Sequence, residues 1–307
     1  MRVQLNQAIL LAWMVCSPLC AQRFFAEPSL ISMGPMRNRV ERNYPLTENA
    51  LGSCKTSSAP GGREERVKIC LAPLSILDVL ATSYDGQPFH GVPVAQLPGT
   101  RAFFFVSGMT IDADGAPNAY HPNDDGLDEV ANAGQPGRWN GIVADQNGTP
   151  LLQQKDDPFP GYYISCTALY DRTKKSTDPT TYVDSSTIPY VALPKELADR
   201  EGMRLGDFGF IMNLNNRRWS YAIYADIGTV GEGSIALADA LGISSDARQG
   251  GQSDGVFYLL FPDSGNQQPH PIAEIQNAGE KLMSLLDAIT ETPNSARRMR
   301  FAALNTD

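Results

Sequence analysis

The chain has 307 residues and a mass of 33.3 kDa, enough for one large or two small domains with a buried core. Hydrophobic residues make up 42% and charged residues 19%, which excludes a wholly disordered chain. The net charge is −9, and it is concentrated in residues 73–290, which hold 27 acidic and 13 basic groups. This excess disfavours nucleic-acid binding, which needs a basic face, and suits either a cationic ligand or simple solubility.

The N-terminus has the pattern of a secretory signal peptide. Arg2 precedes the apolar run 8–15, and a small residue, Ala21, follows at a plausible cleavage point. The apolar run is too short to span a bilayer. We therefore predict a signal peptide over 1–21, a secreted protein (extracellular or periplasmic), and no stable membrane insertion.

A turn-rich, basic extension over residues 22–72 follows the signal peptide. With the signal peptide it carries nine basic and five acidic groups, a charge opposite to that of the domain behind it. Three cysteines remain after cleavage, and an oxidising compartment favours a disulfide. We predict a Cys54–Cys70 bridge, and a buried structural thiol for Cys166, which lies in an apolar, strand-like segment.

Many short apolar segments separated by turn signals occupy the next two hundred residues. This spacing is typical of an all-β barrel or sandwich. Helices are fewer: Ser234 can cap a helix over 235–241 that ends at Gly242, and apolar residues recur on one face of 271–290. The predicted strands are 100–106, 140–144, 162–169, 188–193, 208–213, 220–226 and 256–261, with turns at 145–148 and 215–216.

Common cofactor and metal motifs are absent from the sequence. It contains no phosphate-binding loop, no dinucleotide fingerprint, no H-E-x-x-H and no C-x-x-C. The segment Asp112-Ala113-Asp114-Gly115 is similar to the start of a calcium loop, but the twelfth position is Asn123 where a glutamate is needed. We therefore predict neither a cofactor nor a metal.

Carboxylates and aromatic rings are concentrated in residues 108–184, which hold twelve acidic and five basic groups. Rings can stack on sugars while carboxylates hold hydroxyls or amines, although such carboxylates also serve as turn caps. The candidate substrate-binding residues are the carboxylates Asp112, Asp114, Asp124, Asp125 and Asp184 and the rings of Tyr120, Trp139 and Tyr163.

The segment 221–234 suggests a catalytic pair. An apolar strand leads into Asp226, a glycine-bounded turn follows, and Glu232 precedes the capped helix. Apolar neighbours favour a protonated Asp226, and the helix N-terminus favours an ionised Glu232, as expected of a general acid and a general base. The alternative is that Asp226 caps a turn and Glu232 is merely solvated.

A series of short motifs extends this pattern along the chain. The motifs, in order, are Ile111–Tyr120, Gly126–Asp128, Ala131–Gly134, Pro136-Gly137, Pro160–Ser165, Tyr182–Pro189, Leu205–Asp207, Tyr224–Gly228 and Gly231–Ala238. Together they resemble the chitosanases of glycoside hydrolase family seventy-five. The resemblance implies inverting endo-hydrolysis of the β-1,4 bonds of chitosan, with Asp226 and Glu232 as the catalytic pair and no cofactor.

The strand–loop–helix around Asp226 is also similar to that of double-psi barrel hydrolases. By this analogy we expect a mainly β fold, a six-stranded double-psi-type β-barrel with short helices and a C-terminal amphipathic helix. The catalytic domain is then 73–290, followed by a tail over 291–307, and we expect a monomer. Two other functions stay open: a peptidoglycan lytic enzyme on a similar barrel, or a non-catalytic, expansin-like polysaccharide-binding module.

Overall fold

The computed structural model describes residues 88–97 and 99–290, with the side chains of residues 287–290 excluded. The predicted signal peptide, the 22–72 extension, the Cys54–Cys70 bridge and the 291–307 tail lie outside the described residues.

The described chain folds around a closed, mixed β-barrel of six strands. Going round the barrel, the strands are β2 (Phe103–Asp112), β8 (Glu232–Ser234), β5 (Tyr190–Leu193), β7 (Trp219–Ile227), β6 (Phe208–Asn213) and β9 (Gln252–Phe261). The barrel is closed because β9 pairs back with β2. Two of these pairs are parallel, β2 with β8 and β5 with β7, and the others are antiparallel.

Three short strands and three helices complete the described elements. β1 (Val94–Gln96) pairs with β2, and β3 (Gly134–Gln135) pairs with β4 (Arg138–Trp139) in a separate hairpin. The helices are α1 (Lys195–Glu201), α2 (Ile235–Leu241) and α3 (Ile272–Thr290), with one 3-10 turn at Pro179–Thr181. The prediction of a mainly β fold with a six-stranded barrel, short helices and a C-terminal helix is confirmed.

The barrel interior is filled by alternating side chains of the paired strands. Phe105, Val191, Tyr224 and Tyr258 belong to one continuous buried cluster, and Phe105 stacks on Tyr258 with ring centroids 4.7 Å apart. Successive residues of a strand face opposite sides, so the neighbours of these residues along each regular strand lie on the outer face of the barrel.

A long, largely irregular layer over residues 113–189 follows β2. It has small cores of its own, one built around Tyr120 and Ile142 and another around Val143 and Ile164. The predicted strands 140–144 and 162–169 are wrong, because these segments make only isolated bridges, such as Ile142 with Ser165. Their apolar residues are buried against loops instead of a continuous ladder.

Cys166 is buried within this layer, at 1% exposure. Its Sγ lies 3.4 Å from the Asn140 carbonyl oxygen. The buried position itself agrees with the sequence.

The start of α2 is fixed by Ser234, which is fully buried. Its hydroxyl accepts from the Leu237 amide at 3.0 Å, as an N-cap, and from the Tyr190 amide at 2.9 Å. It donates to the Ile188 carbonyl at 2.9 Å. One hydroxyl therefore joins β8, α2 and the turn that leads into β5.

Replacing Ser234 with alanine should destabilise the fold, because it removes the cap and leaves buried backbone groups without a partner. We expect a loss of about 2–4 kcal/mol in the free energy of unfolding, measured by urea denaturation. Ser253→Ala, at an exposed position of β9, is the control and should change little. Equal stability of the two variants would contradict this account.

Candidate active site

Asp226 and Glu232 lie in one row across the outer face of the barrel. Ala192 of β5 is in register with Asp226 of β7 on one side and with Glu232 of β8 on the other. Register partners on adjacent strands share a face, so only the methyl group of Ala192 separates the two acidic residues along this row. Two strand spacings set their backbone separation at about 9.5 Å.

A β-bulge in β7 brings Asp226 to this face. Val191 pairs with Tyr224, but the next residue, Ala192, pairs with Asp226, so Ala225 is an extra residue on β7. Without it, the period of two would place Asp226 on the same face as Tyr224, inside the barrel. Bulges re-aim side chains in this way, and they are common next to active sites.

Asp226 is buried, at 7% exposure, beneath the irregular layer. Its Oδ1 accepts hydrogen bonds from the amides of Ala168, at 3.0 Å, and Ile227, at 2.8 Å. These two amides fix the position of the Asp226 carboxylate.

Glu232 is half-buried and is held by the turn that precedes β8. Its Oε2 accepts from the Thr229 amide at 2.5 Å and from the Thr229 hydroxyl at 3.1 Å. The same oxygen lies against Gly228, where a Cβ atom would overlap it. Gly228 and Thr229 thus fix the Glu232 carboxylate through both contact and hydrogen bonds.

Two further carboxylates, Asp112 and Asp114, join Asp226. Asp112 ends β2 and Asp114 begins the irregular layer, and oxygen atoms of the three residues lie within 4.8 Å of one another. All three side chains are buried. The folded chain therefore concentrates negative charge beside Asp226.

Asp114 is fixed in this cluster by Tyr120 and Gly141. The Tyr120 hydroxyl donates to Asp114 Oδ1 at 2.6 Å, and a Cβ atom at Gly141 would overlap the same oxygen. Burial, and then the charges of Asp114 and Asp112, raise the pKa of Tyr120 well above its ordinary value. Tyr120 therefore remains a protonated donor to Asp114.

Tyr190, at the start of β5, lies beneath the same cluster. Its hydroxyl donates to the Asp114 carbonyl at 2.9 Å, and its side chain is fully buried. Burial, and then the carboxylates of Asp112 and Asp226, raise its pKa well above the ordinary range. This tyrosine links the barrel wall to the chain segment that carries Asp114.

The other predicted carboxylates bond mainly within their own loops, and Asp124 also pairs with Arg248, whose guanidinium lies 3.8 Å from Asp124 Oδ1. Asp124 accepts from the Val130 amide at 2.7 Å, Asp125 pairs with His121, and Asp184 accepts from Ser186 and Thr187 within one turn. The structure does not bring them into the Asp112–Asp114–Asp226 cluster.

The three predicted aromatic residues occupy different environments. Tyr120 is 2% exposed, so it has no free ring face for a sugar, and the predicted stacking role does not fit its position. Trp139 and Tyr163 are half-buried and pack on the core around Tyr120. The Trp139 indole donates to the Gly148 carbonyl at 3.0 Å, which ties it to a neighbouring turn.

Sequence reasoning missed the residues that place the two acids. No catalytic motif includes Ala192, the bulged Ala225 or Thr229. The glycine before Thr229 is a signal that another group approaches the backbone closely there. The predicted pattern also understated Asp114, whose proximity to Asp226 depends on strand pairing between residues far apart in the chain.

The clustered oxygen atoms of Asp112, Asp114 and Asp226 are close enough to share a cation. Carboxylates alone do not establish an ion site, and the predicted absence of a metal stays a prediction. Within residues 88–97 and 99–290, no helix combines the length and apolar character needed to cross a membrane.

Comparison with known proteins adds no family assignment: no protein-family model matches the chain, and no curated protein is significantly similar to it.

Replacing Tyr120 with phenylalanine should lower stability near pH 7 by about 1.5–3 kcal/mol, because Asp114 loses a charge-assisted hydrogen bond. The difference in unfolding free energy between wild type and Tyr120→Phe should become smaller above pH 10. The raised pKa keeps Tyr120 protonated in the folded state while the unfolded chain ionises, so only wild type loses this contribution as pH rises.

Urea unfolding at pH 7 and pH 11 measures both effects, with Tyr162→Phe, at a half-buried position, as the control. A Tyr120→Phe variant as stable as wild type at pH 7 would contradict the assigned bond.

Proposed function

We propose that this protein is an endo-acting chitosanase that cleaves β-1,4 bonds of chitosan with inversion, as its motifs suggest. The observation that carries the proposal is the row formed by Asp226, Ala192 and Glu232. It presents two carboxyl groups on one face, held apart by a single small side chain.

The spacing of the pair suits inversion better than retention. Inverting glycosidases keep their carboxyl groups ~6.5–9.5 Å apart to admit a water, whereas retaining enzymes keep them ~5–5.5 Å apart. Backbones separated by about two strand spacings allow the longer distance. Contact with Gly228 and the bonds from Thr229 hold Glu232 Oε2 over its own turn.

The proposed mechanism divides the work between the two acids. Asp226 donates its proton to the glycosidic oxygen as the bond to the anomeric carbon breaks. Glu232 takes a proton from the water that attacks this carbon from the opposite side of the sugar. The buried setting of Asp226 supports its role as the acid, and the more exposed Glu232 is better placed to meet water.

The charge of the domain supports a cationic substrate. Chitosan carries an amine on each deacetylated sugar, and Asp112 and Asp114 lie beside Asp226. Carboxylates concentrated beside the reacting bond attract such a polymer and raise its local concentration. The acidic excess of residues 73–290 thereby gains a function beyond solubility.

Asp226→Asn and Glu232→Gln should each reduce chitosan cleavage by about 10²–10⁴-fold, since each removes one proton-transfer group. Release of reducing ends from soluble chitosan measures the rate. Asp254→Asn is the control, because its side chain is exposed on β9. Full activity of Asp226→Asn would contradict the site assignment.

The same assay separates the other two functions. A peptidoglycan lytic enzyme that uses one acid would keep substantial activity on cell walls as Glu232→Gln. A binding module would retain chitosan without releasing oligomers. Either outcome replaces the proposal of chitosan hydrolysis.

Gly228→Ala should impair turnover while largely sparing the fold. Its backbone angles are not in the left-handed region, so alanine is allowed there. The new methyl group would overlap Glu232 Oε2, the end of a flexible side chain, and would approach the Ala192 Cβ at 2.9 Å. We expect a lower kcat with a small change in thermal midpoint; an unaltered kcat would contradict the assigned position of Glu232.

A further inference from the structure

The hairpin over residues 151–163 carries an exposed apolar surface that the proposed catalytic pair does not use. Leu152 is 41% exposed and Phe159 is 38% exposed, which makes them two of the four exposed large apolar side chains among the described residues. Tyr162 is half-buried beside them. We call Leu152, Phe159 and Tyr162 the hairpin surface.

The aromatic rings of the hairpin surface are held in contact with their neighbours. Phe159 meets Tyr162 edge-on, with ring centroids 5.7 Å apart, and His121 contacts Tyr162 at 4.6 Å. His121 in turn pairs with Asp125. The rings are therefore fixed before any ligand arrives, which reduces the entropy lost on binding.

A buried glutamine makes the hairpin backbone rigid. Gln153 is 3% exposed, and its Oε1 accepts from the Phe159 amide at 3.0 Å. Its Nε2 donates to the carbonyls of Pro117, at 2.5 Å, and Tyr163, at 3.1 Å. The hairpin is thus anchored to the chain segment that follows Asp114.

The border of the hairpin surface is acidic. The contact between His121 and Tyr162 joins segments 121–129 and 151–163, which together hold six carboxylates and a single Lys or Arg. Asp125 and Asp156 are exposed among them. A ligand that suits this border carries positive charge as well as apolar faces.

We infer that the hairpin surface is a second binding site, where a cationic amino-sugar polymer places the apolar faces of its sugars on Phe159 and Tyr162. The flanking carboxylates attract its amines. The choice of polymer rests on the proposed function. Because Tyr162 is six residues from Ala168, whose amide bonds to Asp226, at most about 20 Å of chain separates the two sites. One polymer strand can therefore occupy both.

The test measures binding in the full chain carrying Asp226→Asn, so that the polymer survives. Affinity electrophoresis with deacetylated chitosan should show binding that Phe159→Ala and Tyr162→Ala each weaken about three- to tenfold. Ile272→Ala, on α3 at an exposure similar to that of Phe159 (40% against 38%), is the matched control and should leave affinity unchanged. Cellulose, a neutral polymer with similar rings, should bind far more weakly than chitosan.

The outcomes for the second site and for catalysis are separate. If affinity depends on Phe159 and Tyr162 but the chain without Asp226→Asn releases no reducing ends, the site stands and the proposed hydrolysis fails. If chitosan is cleaved but both hairpin variants bind as the parent does, the site is wrong and hydrolysis stands. Absence of chitosan binding, or an equal loss in Ile272→Ala, also overturns the inference.

Discussion

The site depends on one extra residue in β7. Ala225 shifts the register between β5 and β7, so Asp226 leaves the face shared by Tyr224 and joins that of Ala192. A carboxylate inside the barrel would meet a densely packed apolar core, where burial of a charge is costly. On the outer face, Asp226 accepts a hydrogen bond from the Ala168 amide of the irregular layer. It also lies beside the carboxylates of Asp112 and Asp114.

The irregular layer has a chemical role as well as a structural one. It follows β2 directly, so the residues at the end of that strand are adjacent to the ends of β7 and β8. Within it, Tyr120 and Gly141 hold Asp114 in place, and Gln153 anchors the hairpin to the same region. A rigid barrel thus provides the spacing of the acids, and the layer provides their surroundings.

Local sequence signals predicted the elements that local chemistry determines. The cap of α2 is confirmed in detail, with Ser234 accepting from Leu237 and Gly242 in the left-handed region. β6 begins and ends at the predicted residues, and the turn after it lies at 215–216. These features depend on neighbours within a few residues, where side-chain type and backbone preference agree.

Features that depend on pairing between residues far apart in the chain could not be predicted from the sequence. The segments 140–144 and 162–169 have strand-like composition, but they form isolated bridges and not a continuous strand ladder. The position of Asp114 beside Asp226 follows from strand order round the barrel, which no local pattern encodes. Tyr120 was a candidate either for stacking on a sugar or for packing in the core, and the structure buries it with its hydroxyl donating to Asp114. Likewise, the row of Asp226 and Glu232 depends on a bulge of one residue. The alternation of apolar and polar residues in the sequence does not reveal this bulge.

The most direct test of the central claim, that Asp226 and Glu232 act across a water on opposite sides of one glycosidic bond, is the anomeric configuration of the first product. Proton NMR of chitosan oligomers, recorded before mutarotation equilibrates the new reducing ends, reports it. Inversion at the anomeric carbon should give the α-anomer from a β-linked substrate. A β-anomer would mean that a carboxylate attacks the sugar directly, and would contradict the assigned spacing and roles.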